Sequence, residues 1–316
     1  MKTSKVIDAY LAARRAQGVK LSSSTRVLKR FARETGDTDL DLVTPEAVSK
    51  FLHGPGPLTT TWGSKRGLVA GLYRFAMARG YATKSPLTHR RPKLPPPHPP
   101  HVYSTDELQR LLDATATLKV NNSPIRVETY RTLLLILYGA GLRISEATGL
   151  QIRDVDLPQR LLSIRETKFY KTRWVPIGPK LAAAIATYLE RRRTLPMLEG
   201  DEAALLCSRT GHHLWYQDVV TQFQRVRAAA GISCPPGATR PPRLHDLRHT
   251  AAVHRVVAWY REGRDVQKLL PQLATYLGHS EIKSTQRYLS MTPELLDEAC
   301  QRFAAYAAMG GHHAQP

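Results

Sequence analysis

Cysteine is scarce in this 316-residue chain: there are three, Cys207, Cys234 and Cys300, far apart and in no CxxC pair. An odd, scattered set of thiols argues against a disulfide framework and fits a reducing compartment. A long apolar run is missing as well. The opening stretch MKTSKVIDAYLAARRAQG carries a charge every few residues, so neither a signal peptide nor a membrane anchor is expected in it. Acidic residues are few, 26 against 46 Lys and Arg, for a formal net charge of +20. The imbalance is steepest at the front, where residues 1–101 hold 18 basic and 6 acidic side chains. Such a balance favours nucleic acid as a partner, and after it an anionic membrane surface. A basic protein with solvated charged faces satisfies charge alone equally well. No internal repeat is visible. The expected location is cytoplasmic, associated with the nucleoid.

Apolar residues make up 42% of the chain, enough to bury a core in two domains or one large one. Residues 1–85 read as four short helices. Their apolar stripes are Val6, Ile7, Tyr10 and Leu11; Leu28, Phe31 and Ala32, ended by Gly36; Val48, Phe51 and Leu52, opened by Thr44 and Pro45; and Leu68, Val69, Leu72, Phe75 and Ala76. Lys65, Arg66 and Arg74 lie on opposite faces as candidate phosphate contacts. Residues 86–101 hold seven of the 22 prolines together with Arg90, Arg91 and Lys93, the composition of a stiff basic linker. From residue 102 to 307 the pattern is mostly helical. Ser104 and Glu107 form a capping box, and a buried helix covers Thr132–Tyr138. A β-hairpin spans 161–176, its second strand reading Trp174–Ile177, and Leu205–Cys207 reads as one more short strand. Residues 308–316 read as a disordered tail. The fold class is mainly α with a small β-sheet, α+β.

Six polar residues carry chemistry in one order: Arg143, Lys168, His245, Arg248, His279 and Tyr288. Attack on a DNA phosphodiester adds negative charge at the phosphoryl oxygens, and without a metal that charge needs preorganised cations. Arginine suits the task because its planar fork binds phosphate twice and keeps its proton. Glu146, three residues after Arg143, is placed to hold its guanidinium; a surface Arg–Glu pair is the plainer alternative. In His245-Asp246-Leu247-Arg248-His249 a helix puts residues 245 and 248 on one face, joining an imidazole to a guanidinium. His249 points elsewhere. Lys168 sits at the hairpin, within reach of a leaving 5′-oxygen, with Lys171 as its rival. A tyrosine nucleophile such as Tyr288 keeps the bond energy in an aryl phosphate, so the strand can be resealed. Metal binding by Cys207, His212 and His213 lacks a fourth ligand.

The strings GAGLRISE, HDLRHT and LATYLGHSEIKSTQRYL, in this order, resemble the tyrosine recombinases, or phage-type integrases. The resemblance covers residues 102–300, and the helical segment 1–85 is similar to the family's core-binding, SAM-like domain. It implies a catalytic domain at 102–307, ending in a tail helix, and a C-shaped clamp on double-stranded DNA. It further implies a tetramer on paired sites, a Holliday junction and a 3′-phosphotyrosyl bond, with no metal, ATP or other cofactor. A partner recombinase or an accessory DNA-bending protein is compatible with it. Carried over, Arg143 and Arg248 clamp phosphate, Lys168 is the general acid, and His245 the general acid/base. His279 bonds phosphate and Tyr288 is the nucleophile, while Lys171 joins Lys65, Arg66 and Arg74 as a DNA contact. The usual Gly-rich hairpin tip is replaced by Lys168-Phe169-Tyr170-Lys171, which leaves the choice between Lys168 and Lys171 open. The segment Pro293–Ala308 forms the amphipathic tail, and no further N-terminal domain for arm-type sites is expected. A mobile element is the expected carrier. The rival readings are a type IB topoisomerase and a non-catalytic DNA-binding regulator.

Overall fold

The structure, a computed structural model, describes residues 1–19, 21–95, 99–118, 123–165, 172–238, 240–278, 300 and 304. These residues form two compact units, one within Met1–His98 and the other from Pro99 onward. The described elements are mainly helices with one small antiparallel sheet, the class read from the sequence.

The first unit holds α1 (Thr3–Ala16), α2 (Ser22–Glu34), α3 (Pro45–His53) and α4 (Thr60–Ala78). The expected stripes meet in one core: Val6, Ile7 and Leu11, then Leu28 and Phe31, Val48, Phe51 and Leu52, and Val69, Leu72 and Ala76. The Phe31 and Phe51 rings pack edge-on with centroids 5.0 Å apart. Thr44 caps α3, its Oγ1 accepting from the Ala47 N–H at 3.3 Å, and Pro45 takes the first helical position, where no N–H is needed. α4 starts well ahead of the apolar run at Leu68. Its added turns are polar except for Trp62, which seats on the core and which a stripe search begun at Leu68 passes over.

The second unit opens with α5 (Thr105–Ala114), whose capping box is formed as expected: Ser104 Oγ accepts from Glu107 N–H at 3.1 Å, and Glu107 Oε2 accepts from Ser104 N–H at 2.9 Å. α6 (Arg126–Gly139) buries Tyr130, Leu133, Leu134, Ile136 and Leu137 on several sides. Burial nearly all round makes it the central helix, and α8 (Pro179–Arg193) and α10 (Asp246–Arg261) pack against it. α7 (Ile144–Thr148), α9 (Tyr216–Ala229) and α11 (Val266–Leu277) are further α-helices of this unit.

Strands β1 (Val155–Asp156), β2 (Leu161–Ile164) and β3 (Arg173–Pro176) lie in that order, all antiparallel, with Leu161 opposite Pro176 and Ile164 opposite Arg173. Alternation turns Leu162, Ile164 and Val175 inward. The second hairpin strand thus begins one residue earlier than expected, at Arg173 rather than Trp174. Ile177 leaves the ladder, its N–H donating to Arg160 O at 2.9 Å. β1, two residues long, is too short to show a period, so no alternation marks it. The run Leu205–Cys207 is not a ladder strand. Its neighbourhood makes two isolated bridges, Gln151 with Ala204 and Cys207 with His213, and three residues flanked by two different partners cannot extend a sheet. Among the described residues no helix is long and apolar enough to cross a membrane.

Candidate active site

Arg143 lies where the chain turns from α6 into α7. Gly141 adopts a φ of +61°, and a Cβ on it would come within 2.8 Å of Leu277 Cδ2. Glycine therefore permits both the left-handed turn and its close approach to α11. The turn leaves Arg143 as the N-cap of α7. Glu146 accepts from the Arg143 backbone N–H at 2.9 Å and from its Nη1 at 2.7 Å. A guanidinium has no acceptor, so the return half of a capping box does not form. Arg143 Nη2 donates to the carbonyl of Gly278, at the end of α11, at 2.8 Å.

Glu146 serves more than one arginine. Arg173, the first residue of β3, donates from Nη1 to Oε1 at 3.0 Å and from Nη2 to Oε2 at 2.8 Å. Its Nε donates to Tyr276 O at 3.3 Å. Arg248 of α10 brings Nη1 to 3.8 Å from Glu146 Oε2, and two of its bonds run to backbone: Nη1 to Gly141 O at 2.7 Å and Nη2 to Leu277 O at 2.6 Å. A carboxylate 9% exposed thus faces guanidiniums that are 37% (Arg143), 15% (Arg173) and 1% (Arg248) exposed. Burial alone would raise the Glu146 pKa. The Arg173 fork, the Arg143 N–H and the charges of both arginines overcome it and hold the carboxyl at about 2. Glu146 is ionised throughout the physiological range, and three positive charges share its single negative one.

His245 precedes α10 with helical dihedrals, φ −67° and ψ −22°, so its ring lies one turn before Arg248. One face of His245 meets solvent. Protein packed on the other side desolvates the ring, the largest cause of a lowered pKa; Arg248, Arg243 and Arg143 lower it further, while Asp246 opposes them. The imidazole is therefore neutral at neutral pH and able to accept a proton. Asp246 is buried and pins the start of α10, accepting from Arg243 N–H at 2.8 Å and from Arg243 Nη2 at 2.9 Å. Its carbonyl accepts from Thr250 Oγ1 at 2.8 Å, and that oxygen accepts from Tyr103 N–H at 3.0 Å. His249 is buried, and desolvation lowers its pKa to about 4, which keeps it neutral.

The phage integrase family profile matches residues 102–294, more than half of the chain. Over 303 residues the chain is 34% identical to a Sinorhizobium fredii protein that carries the name integrase/recombinase y4rB, with 94% of this chain and 96% of that protein covered. The chain belongs to the phage integrase family, the tyrosine recombinases. It is by that membership a DNA breaking-rejoining enzyme. Tyrosine recombinase XerD of Mycobacterium tuberculosis is 33% identical over 293 residues, with 88% of this chain and 89% of that one covered. In fold the chain is similar to the Tn1549 transposon integrase solved with a circular intermediate DNA, at a TM-score of 0.68 and 19% identity, with 96% and 100% of the two chains covered.

Of the six residues singled out in this tyrosine recombinase, the structure sets Arg143 and Arg248 beside Glu146 and brings His245 near enough to both arginines for their charges to lower its pKa. Lys168, His279 and Tyr288 lie outside the described residues, as do Lys171 and most of the tail segment. In the first unit Lys65 is occupied by its own fold: Nζ donates to Phe51 O at 2.9 Å and sits 4.9 Å from the centre of the Phe51 ring. Arg66 Nη2 donates to Thr88 O at 3.0 Å, whereas Arg74 is exposed. Arg173 and the carbonyls of Gly141, Leu277 and Gly278 were not singled out from the sequence. An arginine opening a strand is a weak signal, and a backbone carbonyl carries none. Among the described residues no three His, Cys, Asp or Glu side chains are grouped to hold a metal ion.

Proposed function

We propose that this tyrosine recombinase is a site-specific recombinase of double-stranded DNA. In this reading it cuts through a 3′-phosphotyrosyl intermediate and exchanges strands through a Holliday junction, as a tetramer on paired sites. The observation that carries the reading is the arginine cluster, in which Arg143 and Arg248 keep a surplus of positive charge beside a neutral His245. That is what a phosphodiester needs when no metal neutralises it. A tetramer of lambda integrase has been solved on a Holliday junction, and XerH on its difH substrate, which supports paired DNA sites for a chain of this fold. Service to a mobile element draws on the name integrase carried by the Sinorhizobium fredii relative.

In the forward step the Tyr288 phenol oxygen attacks the scissile phosphorus. The new O–P bond forms as the P–O5′ bond breaks, His245 takes the phenol proton, and the 5′-oxygen takes one from Lys168, with Lys171 as the rival donor. Arg143 and Arg248 bind the non-bridging oxygens, and His279 adds a hydrogen bond. Attack by a 5′-hydroxyl on the phosphotyrosine reverses the step and reseals the strand. Arg74, exposed on α4, is better placed for the DNA backbone than Lys65 or Arg66, which are half-buried and each commit a donor to a carbonyl of their own unit. The enzyme acts in the cytoplasm on nucleoid DNA, with room for a partner recombinase or an accessory DNA-bending protein.

The test is covalent capture on a library of random duplex DNA carrying a nick that traps the cleaved strand. Wild-type protein yields adducts that survive denaturant and share a sequence, and Tyr288→Phe binds the DNA without forming them. Adducts formed by Tyr288→Phe would reject the nucleophile, and adducts without a shared sequence would turn the reading towards a topoisomerase-like relaxing activity.

A further inference from the structure

The sharing of Glu146 has a functional consequence. Each carboxylate oxygen accepts two hydrogen bonds, Oε1 from Arg143 Nη1 (2.7 Å) and Arg173 Nη1 (3.0 Å), Oε2 from the Arg143 N–H (2.9 Å) and Arg173 Nη2 (2.8 Å). The carboxylate is thus divided between the Arg173 fork and the backbone N–H and single Nη1 of Arg143. Arg248, the most deeply buried of the three arginines, is anchored on backbone carbonyls, so Glu146 touches it only at 3.8 Å. Arg143 is the most exposed of the set, and of its five N–H hydrogens the two bonds named use one each from Nη1 and Nη2. Surplus charge in the cluster is therefore accessible to a ligand at Arg143.

We propose that Arg173 is a positioning residue for DNA cleavage: by occupying half of the Glu146 carboxylate it keeps Arg143 turned outward with its charge available to the scissile phosphate. This rests on the reading of Arg143 as a phosphate-binding residue. Without Arg173, Glu146 is free to take Arg143 in a full two-bond fork, which neutralises the charge and draws the guanidinium inward. Only arginine fills the role. Its plane spans both carboxylate oxygens while Nε reaches Tyr276 O, a geometry a lysine ammonium cannot reproduce. The backbone is shaped for it. Gly278 has a φ of +70°, and a Cβ there would lie 2.8 Å from Arg173 Cζ. The same Gly278 supplies the carbonyl that anchors Arg143 Nη2, so both arginines are set against one glycine.

The experiment uses full-length protein and a nicked duplex bearing the sequence recovered by covalent capture, made with either a normal phosphate or a neutral methylphosphonate at the scissile position. Single-turnover cleavage is measured for wild type, Arg173→Gln and Arg173→Lys, with DNA affinity alongside. On the phosphate, Arg173→Gln cleaves on the order of 100-fold more slowly than wild type at near-normal affinity, the loss typical of a small misplacement of a catalytic group. Arg173→Lys, which keeps the charge and protects the fold, recovers part of that loss. On the methylphosphonate the gap between Arg173→Gln and wild type narrows, because a phosphorus centre without the charge depends less on Arg143. An equal gap on both substrates would overturn the proposal and leave Arg173 a purely structural brace; so would wild-type rates in Arg173→Lys and Arg173→Gln alike. No wild-type adduct on any duplex overturns the reading of the site itself, and this inference with it.

Discussion

Replacing Glu146 by Gln removes the negative charge while keeping nearly the same shape, so its consequences follow from the cluster alone. In the wild type the carboxylate is 9% exposed and faces Arg173 and Arg248, themselves 15% and 1% exposed. Removing one partner of a buried pair costs about 3–5 kcal/mol, because a charge is left buried without compensation. The depressed pKa gives a second route to the magnitude. A carboxyl at about 2 in the folded state, against an ordinary 4.5, contributes about 3 kcal/mol at neutral pH, at 1.36 kcal/mol for each unit of difference. The sign follows from the direction. This stability is fully present above pH 4.5, where both states are ionised, and is lost as the pH falls towards 2, as the unfolded chain takes up the proton first. Glu146→Gln is thus less stable than wild type by about 3 kcal/mol at pH 7, and the difference shrinks by about 1.4 kcal/mol for each pH unit below 4.5. The assay is urea unfolding of both proteins at several pH values, followed by hydrogen exchange in α6 and α10, so that only the unit from Pro99 onward is read. Equal stability at pH 7, or a difference that stays constant below pH 4.5, would refute the account of the shared carboxylate.

Two further perturbations probe the same cluster. A lowered His245 pKa means that the imidazole loses its proton below the ordinary 6.5, so the acid limb of kcat/KM for cleavage should lie below pH 6.5; a limb above it would exclude a desolvated His245 among neighbouring arginines as the base. Gly278→Ala adds left-handed strain of about 1–2 kcal/mol and drives a methyl group into the Arg173 guanidinium, so it should lower both the urea midpoint and the cleavage rate. Gly237→Ala is the comparison, because its φ is +76° but nothing lies within 4 Å of the added Cβ. It should lose stability and keep cleavage, and equal cleavage by the two variants would count against the close packing at Gly278.

Short-range chemistry was readable in the chain. The stripes of α1 to α3, the Thr44-Pro45 helix start and the Ser104–Glu107 capping box follow from helical period and from the donors left open at a helix N-terminus, both set within a few residues. The same holds for the Arg143–Glu146 pair, three residues apart, and for His245 one turn before Arg248. What joins these pieces acts across the chain. Arg143 reaches the carbonyl of Gly278, 135 residues away, and Arg248 that of Gly141, 107 residues away. Every residue carries a carbonyl, so no side-chain pattern marks the ones that anchor an arginine. Arg173 enters because the β2–β3 register sets it opposite Ile164 and because Gly278 leaves room for its guanidinium. A periodic pattern encodes which face of a helix is buried. It does not encode which distant surface that face meets, and the gathering of three arginines about one carboxylate arises only where those surfaces pack.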